Sequence, residues 1–164
     1  MLLIAKGLGA LDFSKLMDVY AEGNRENGEE FYPDAPPHRQ ILLAEESFYQ
    51  YLREVFFRTE GAYYAVWTLD GRYVSALRLE PYRDGLLLEA LETAPDMRRK
   101  GYASALIRAV LEEVGDTPVY SHVSKRNIAS LRTHAACGFR RILEYAACID
   151  GSVLQSQCTL RYSK

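Results

Sequence analysis

Apolar residues recur along this chain with two different periods, and the switch between them outlines the fold. Residues 2–5, Leu-Leu-Ile-Ala, have strand character, and Asp12 is placed to cap a helix whose Phe13, Leu16, Met17 and Tyr20 share one side. From 22 to 38 the helical period is lost among Gly23, Gly28, Pro33, Pro36 and Pro37, with many acids and the aromatic pair Phe31-Tyr32. That composition predicts a long loop, and long loops in compact domains are often functional. Ile41, Ala44, Phe48, Leu52, Val55 and Phe56 then make one stripe beside polar Glu45, Glu46, Gln50, Arg53 and Glu54, which predicts a covering helix.

Strand-like runs follow at 62–69, 72–79 and 86–93. Asp70-Gly71 and Asp84-Gly85 are tight-turn pairs, so the three runs predict an antiparallel meander. Next come a helix over 101–114, a strand over 119–124 and a helix over 127–137 that Gly138 closes in the left-handed conformation. The tail, 139–162, holds a hairpin about Asp150-Gly151, after which Leu154, Ser156, Cys158, Leu160 and Tyr162 alternate with polar residues. The order β-α-α-β-β-β-α-β-α-β-β predicts an α/β fold with a mixed, mostly antiparallel sheet of about seven strands flanked by about four helices. Its 164 residues suit a single domain over 1–164, with no internal repeat or linker.

Charge and cysteine content remove several classes of function. A net charge of -2 argues against a broad nucleic-acid surface, which needs a basic excess. Three cysteines, Cys137, Cys148 and Cys158, are odd in number and lack CxxC spacing, so a disulfide framework and a zinc site are both disfavoured. They read as core or near-core thiols. The apolar start breaks at Lys6, Gly7 and Gly9, short of a signal peptide or a membrane span, so the expected location is cytoplasmic with no membrane partner.

Candidate chemistry concentrates after the third meander strand. There Arg98-Arg99-Lys100-Gly101-Tyr102-Ala103 leads into an apolar-striped helix. Three cations at a helix N-terminus oppose the macrodipole, an arrangement that makes sense when an anion binds; the alternative is a solvated basic turn. Gly101 and the small Ala103 let backbone N–H groups approach a phosphate closely. Neither the G-x-x-x-x-G-K-[ST] of a P-loop nor the G-x-G-x-x-G of a dinucleotide fold is present here. A second segment, Asn127-Ile128-Ala129-Ser130-Leu131-Arg132-Thr133-His134-Ala135-Ala136-Cys137-Gly138-Phe139, opens the next helix.

Together the two segments resemble the GCN5-related N-acetyltransferase family. Its first motif, R/Q-x-x-G-x-G/A, binds the coenzyme A pyrophosphate, and its second, N-x-x-A/S-x-x-x-Y/H-x-x-x-G-F, is matched by Asn127, Ser130, His134, Gly138 and Phe139. The resemblance is specific from 86 to 139 and looser in the last hairpin. It implies the acyl-CoA N-acyltransferase fold, acetyl-CoA as cosubstrate, no metal, an amine acceptor and a possible homodimer. It also implies direct transfer in a ternary complex, with pantetheine in a gap between the fourth and fifth strands. Fourth-strand amides at Leu91, Glu92 and Thr93 would polarise the thioester, while Arg98, Arg99, Lys100, Gly101, Tyr102, Ala103, Asn127, Ser130 and His134 would hold the cofactor.

Proton transfer has four candidates. Glu89 and Glu92 on the fourth strand can accept a proton directly or through water; alternatively each faces solvent on an alternating strand. His122 falls where some relatives that acetylate protein N-termini carry a catalytic glutamate, and an imidazole titrates near neutrality without a large shift; the alternative is a packed structural histidine. His134 stands where many family members have the tyrosine that protonates the leaving thiolate. A thiolate leaves without help, so cofactor contact is an equal role for it. Glu26, Glu29 and Glu30 with Phe31, Tyr32 and Tyr82 suit a cationic or aromatic amine, or else form a solvated acidic loop. A noncatalytic acyl-CoA-binding module is the competing reading of the whole chain.

Overall fold

The computed structural model describes residues 1–164. One sheet of seven strands carries the fold: β1 (Leu2–Ala5), β2 (Tyr63–Leu69), β3 (Arg72–Tyr82), β4 (Gly85–Thr93), β5 (Val119–Ser124), β6 (Arg140–Leu143) and β9 (Gln157–Tyr162). Its order is β1-β2-β3-β4-β5-β9-β6. Every neighbouring pair is antiparallel except β4 and β5. The helices are α1 (Phe13–Val19), α2 (Ala21–Phe31), α3 (Pro37–Glu54), α4 (Tyr102–Val114) and α5 (Ile128–Ala136).

Strand alternation divides the core between two faces. Ala65, Leu77 and Leu79 pack with Leu106, Ile107, Val110 and Leu111 of α4, while Tyr64, Val66 and Ala76 pack with Leu16, Leu52 and Phe56 from the α1 and α3 side. The architecture is therefore a helix–sheet–helix sandwich. Asp12 caps α1, its carboxylate accepting from Lys15 N at 3.2 Å, and the Asp70-Gly71 turn puts both residues at positive φ.

Three expectations need correction. The stretch 22–38 is not a loop: α2 fills most of it and α3 begins at Pro37, so five α-helices flank the sheet. Gly23 and Gly28 hide the helix from a propensity argument, yet tertiary packing wins. A Cβ at Gly28 would meet the Gln40 carbonyl oxygen at 2.7 Å, so glycine is what lets α2 lie against α3. Second, β3 runs on to Tyr82 rather than ending at 79. Third, the Asp150-Gly151 hairpin joins β7 (Ala146–Ala147) to β8 (Val153–Leu154) in a separate two-stranded sheet, and Leu154 is exposed there. In β9, Cys158, Thr159 and Leu160 are all buried, because that strand lies between β5 and β6 with both faces covered.

Candidate active site

The basic turn builds one end of a groove. After a 3-10 turn at Pro95–Met97 the chain passes through two left-handed residues, Arg99 (φ 60) and Gly101 (φ 84), and enters α4. Gly101 caps α4 without a side-chain hydrogen bond, and the first turn carries no acid. Amides of a helix's first turn have no intrahelical acceptor, so here they are free to bind an anion. A cavity of about 590 Å³ opens there, walled by Arg98, Arg99, Gly101, Tyr102 and Ala103, then by Asn127 and Ser130 of the α5 entry. Leu91, Glu92 and Thr93 of β4 form its opposite side. Asn127 caps α5 by accepting from Ser130 N at 3.0 Å. Lys100 lies outside this lining, its ammonium on the Met97 sulfur at 3.5 Å.

Arg98 is not idle in this state. Its Nη2 contacts the Glu22 carboxylate of α2 and lies 3.7 Å from Glu92 Oε2, while Nε donates to the Thr93 carbonyl at 3.3 Å. Burial pushes the Glu92 carboxyl up; the Arg98 charge opposes this, and Glu22 and Glu26 add to the rise.

Beyond the turn the groove meets the gap between β4 and β5. These strands pair only from Leu86–Val119 to Leu88–Ser121 and then separate. A bulge helps to turn β4 away: Ala76 opposes Glu92 and Arg78 opposes Glu89, so Ala90 and Leu91 together face one residue of β3. Ala90 has φ 49, a strained value for alanine, and Tyr20 OH pins it by donating to its carbonyl at 2.6 Å. The gap encloses about 170 Å³ and is lined by Glu89, Ala90 and Leu91 on one side and by Ser121, His122 and His134 on the other.

Both histidines have a buried Nε2 with no partner. His134 is 1% exposed, and its Nδ1 lies 2.8 Å from the Ser130 carbonyl oxygen. A carbonyl only accepts, so Nδ1 carries the proton of the neutral ring and Nε2 is left as an unpartnered acceptor. Burial holds the His134 imidazole below its ordinary value, against the Ser130 bond. Burial also lowers His122, with Glu89 pulling the other way and Arg83 reinforcing the fall. Buried unpaired donors and acceptors are costly, and both histidines that carry them line this one gap, which suits a polar ligand.

A second chamber of about 860 Å³ adjoins the groove across Gly23, Glu26 and Glu92, which line both. Tyr20, Phe31, Tyr32, Phe48 and Tyr51 supply aromatic walls, and Arg78 and Ala90 line it from the sheet. Arg78 sits 4.9 Å from the Tyr51 ring centroid, and its Nε donates to Glu89 Oε2 at 3.3 Å.

The four proton-transfer candidates thus divide. Glu89, His122 and His134 meet in the strand gap, while Glu92 stands at the seam between groove and chamber. Of the acceptor-side residues, Glu26, Phe31 and Tyr32 line the chamber, whereas Glu29, Glu30 and Tyr82 do not. Tyr82 instead packs edge-on against His122 and donates to the Ala147 carbonyl at 2.5 Å. Sequence reasoning missed Tyr20, Glu22 and Arg78. Tyr20 was read as a core position, and only the three-dimensional path of α2 brings Glu22 to Arg98. Of these three, only Arg78, a charge between Leu77 and Leu79 in a strand run, carried a signal in the sequence.

A mixed seven-stranded sheet whose sole parallel pair opens beside a basic helix N-terminus defines the acyl-CoA N-acyltransferase fold. Residues 21–139 match the model of the Acetyltransferase (GNAT) family, and the chain belongs to that family. Among solved structures it resembles the PaiA N-acetyltransferase of Thermoplasma acidophilum in complex with coenzyme A, at 15% identity and TM-score 0.62, covering 100% of this chain and 99% of that one. It also resembles an IAA acetyltransferase of Bacillus cereus, at 15% identity and TM-score 0.60 over 100% of both chains. The ribosomal-protein-S18-alanine N-acetyltransferase of Escherichia coli is similar at 16% identity and TM-score 0.60, over 99% of this chain and 94% of that one. At such identities these likenesses speak for the fold. No curated protein matches the sequence at a significant level. No helix is long and apolar enough to cross a membrane.

Proposed function

We propose that the protein is a cytoplasmic N-acetyltransferase that passes the acetyl group of acetyl-CoA directly to a primary amine, without a metal. The observation that carries this reading is one continuous path: uncapped α4 amides and two arginines, then the β4–β5 gap with its two orphaned imidazole nitrogens, then an aromatic chamber reached across Glu92. The residues fit a coenzyme A molecule: a Cβ at Gly101 meets nothing within 4 Å, so phosphate has room beside the turn. Acetyl-CoA supplies the acyl group as a thioester and leaves as a thiol.

The chain's own residues do the rest. Arg98, Arg99 and the first-turn amides from Tyr102 and Ala103 hold the pyrophosphate. Asn127 and Ser130 face the pantetheine arm. Amides of β4 after Leu88 lack a β5 partner, so those near Leu91 to Thr93 can donate to the arm and to the reacting carbonyl, where negative charge develops. The amine enters from the aromatic chamber and reaches the Ala90 bulge, and Glu89 or His122 takes its proton. His134 serves as acceptor through Nε2, toward a pantetheine amide N–H or the thiol, because a neutral ring with Nδ1 on Ser130 has no second proton to give.

Thiol release from acetyl-CoA, followed colorimetrically against a panel of amino acids, aliphatic and aromatic amines and peptides, tests the proposal. Amine-dependent release that scales with enzyme, with the N-acetyl product seen by mass spectrometry, is expected. Saturable coenzyme A binding with no turnover on any amine favours the noncatalytic module instead.

A further inference from the structure

One charged group in the site takes no part in the scheme above. Glu80 lies on β3, two residues beyond Arg78 and on the same face, and the register brings both beside β4, with Arg78 opposite Glu89 and Glu80 opposite Leu87. The register makes the two glutamates diagonal neighbours on one face of the β3–β4 pair, and Glu89 is among the groups that push the Glu80 carboxyl up. Glu89 in turn accepts from Arg78, which lines the acceptor chamber, while Glu89 itself lines the strand gap. Glu89 and His122 line the strand gap together, and the Glu89 charge acts on the imidazole. A chain of polar groups therefore runs from the chamber and gap, through Glu89, to the half-buried Glu80 at the edge of the cluster.

We propose that Glu80 and Glu89 form a proton-sharing carboxyl pair, in which Glu89 takes the proton of the acceptor ammonium and Glu80, a positioning residue acting through Glu89, returns it to water. This rests on the acetyl-transfer reading above. An alkylammonium carries three N–H hydrogens and the amide product keeps one. Once Glu89 has removed the first, the nitrogen lone pair forms the C–N bond as the C–S bond breaks, and a second proton ends on the departing sulfur. One proton per turnover must therefore reach solvent, and the Glu80–Glu89 pair offers its exit.

An ordinary carboxylate, ionised well below neutrality, is a weak base for an ammonium. Two neighbouring carboxyls resist losing both protons, and the pair titrates as a unit. The Glu80 carboxyl is pushed up to about 7, first by burial, then by Glu89, with Arg78 opposing. Other groups facing the pair are Tyr51 of α3 and His122 of β5, with Arg83 behind the imidazole. With Glu80 ionised the pair is ready to accept a proton; with Glu80 protonated, one proton is already in place.

Two measurements test this. In pH profiles of kcat/KM, wild type is expected to lose activity as pH falls through about 7. Glu80→Gln should move that acid limb down by about one pH unit or more and lower the plateau, and Glu80→Asp should restore the limb. A purely structural role would lower stability, or scale the whole profile, without moving the limb. Carbon-detected NMR titration of the glutamate carboxyls in the free protein needs no substrate: Glu80 should titrate near 7 in wild type and fall in Glu89→Gln. Superimposable pH profiles for wild type and E80Q, or a Glu80 that titrates in the ordinary carboxylate range, would overturn the pair while leaving acetyl transfer standing. Coupled NMR titrations with no turnover on any amine would instead sink the transfer reading and the relay with it.

Discussion

Removing an acid from the cofactor groove should tighten cofactor binding. In the free protein Arg98 is shared between Glu22 and Glu92, and a pyrophosphate has to win it from both. The Arg98 and Glu22 side chains are 40% and 38% exposed, so their pair belongs with surface ion pairs, at about 0.2–1 kcal/mol. Glu22→Gln removes that competitor and a repulsive charge beside the phosphates. The expected gain in coenzyme A affinity is about 1.5- to 5-fold. Because Glu22 also sits in the first turn of α2, where a carboxylate suits the macrodipole, the same substitution should lower the melting temperature slightly. The two effects have opposite signs, which separates competition for Arg98 from general damage. Titration calorimetry with coenzyme A at low ionic strength measures the first, and the gain should shrink at high salt as screening weakens the pair. Arg98→Gln, as the control, should weaken binding by about tenfold or more. Unchanged or weaker binding by E22Q at low salt would refute the idea that Glu22 holds Arg98 back.

Other perturbations have equally direct readouts. Gly101→Ala meets open space, so its cost is purely the left-handed backbone, about 1–2 kcal/mol by urea denaturation, with a parallel loss of coenzyme A affinity as the turn relaxes. Gly28→Ala would drive a methyl into the Gln40 carbonyl and push α2 off α3, costing about 1–3 kcal/mol and raising KM for the amine more than the coenzyme A Kd. His134 is held neutral, its pKa lowered from 6.5 by burial. Its contribution is full above about 6.5 and is lost as pH falls through the lowered folded value, because the unfolded chain there binds more protons. His134→Gln should therefore flatten the acid-side decline in stability between pH 7 and pH 5, measured by denaturation at fixed pH steps.

The strands and the local structure of the 98–103 and 127–139 segments were legible because local rules and tertiary demands coincide there. Asp70-Gly71 and Asp84-Gly85 mark turns in any context, and the meander they bound is the one the protein forms. The 98–103 turn is contiguous, so the sequence alone sets its arginines and its glycine at the start of α4, while the left-handed conformation of Gly101 emerges only in the fold. Asn127 to Phe139 likewise lies within one helix and its exit, and the Asn127 cap and left-handed Gly138 form as expected, while the fold adds Phe139 packed on the His134 ring with centroids 5.1 Å apart. The acceptor half was legible only in part: Glu26, Phe31 and Tyr32 line the chamber, but the set as a whole comes together only after folding. Tyr20, Arg78 and Glu92 come from α1's end, β3 and β4, and nothing in their spacing joins them. Helix α2 was hidden for a related reason: its glycines argue against a helix locally, and only the backbone of Gln40 explains one of them.

That same helix explains how the molecule separates its two tasks. The cofactor wall is continuous with the main core: α4 buries Leu106, Ile107, Val110 and Leu111 against the sheet, so the turn at its N-terminus is held by the most cooperative part of the fold. Helix α2 buries only Asn24 and Gly28, and no residue of it joins the apolar clusters. It rests on α3, on the Asn24 Nδ2 contact to the Met17 sulfur at 3.2 Å, and on the Arg98–Glu22 pair. Yet it borders both cavities, through Gly23 and Glu26. A wall attached so lightly can change sequence without disturbing the sheet or the α4 turn. The chamber's shape and charge are thus carried by an element whose alteration costs the core little, while the groove is carried by elements whose alteration costs it much. An anion that drew Arg98 away from Glu22 would reach across this division, because Glu22 is also one of the few ties that fix where the chamber wall begins.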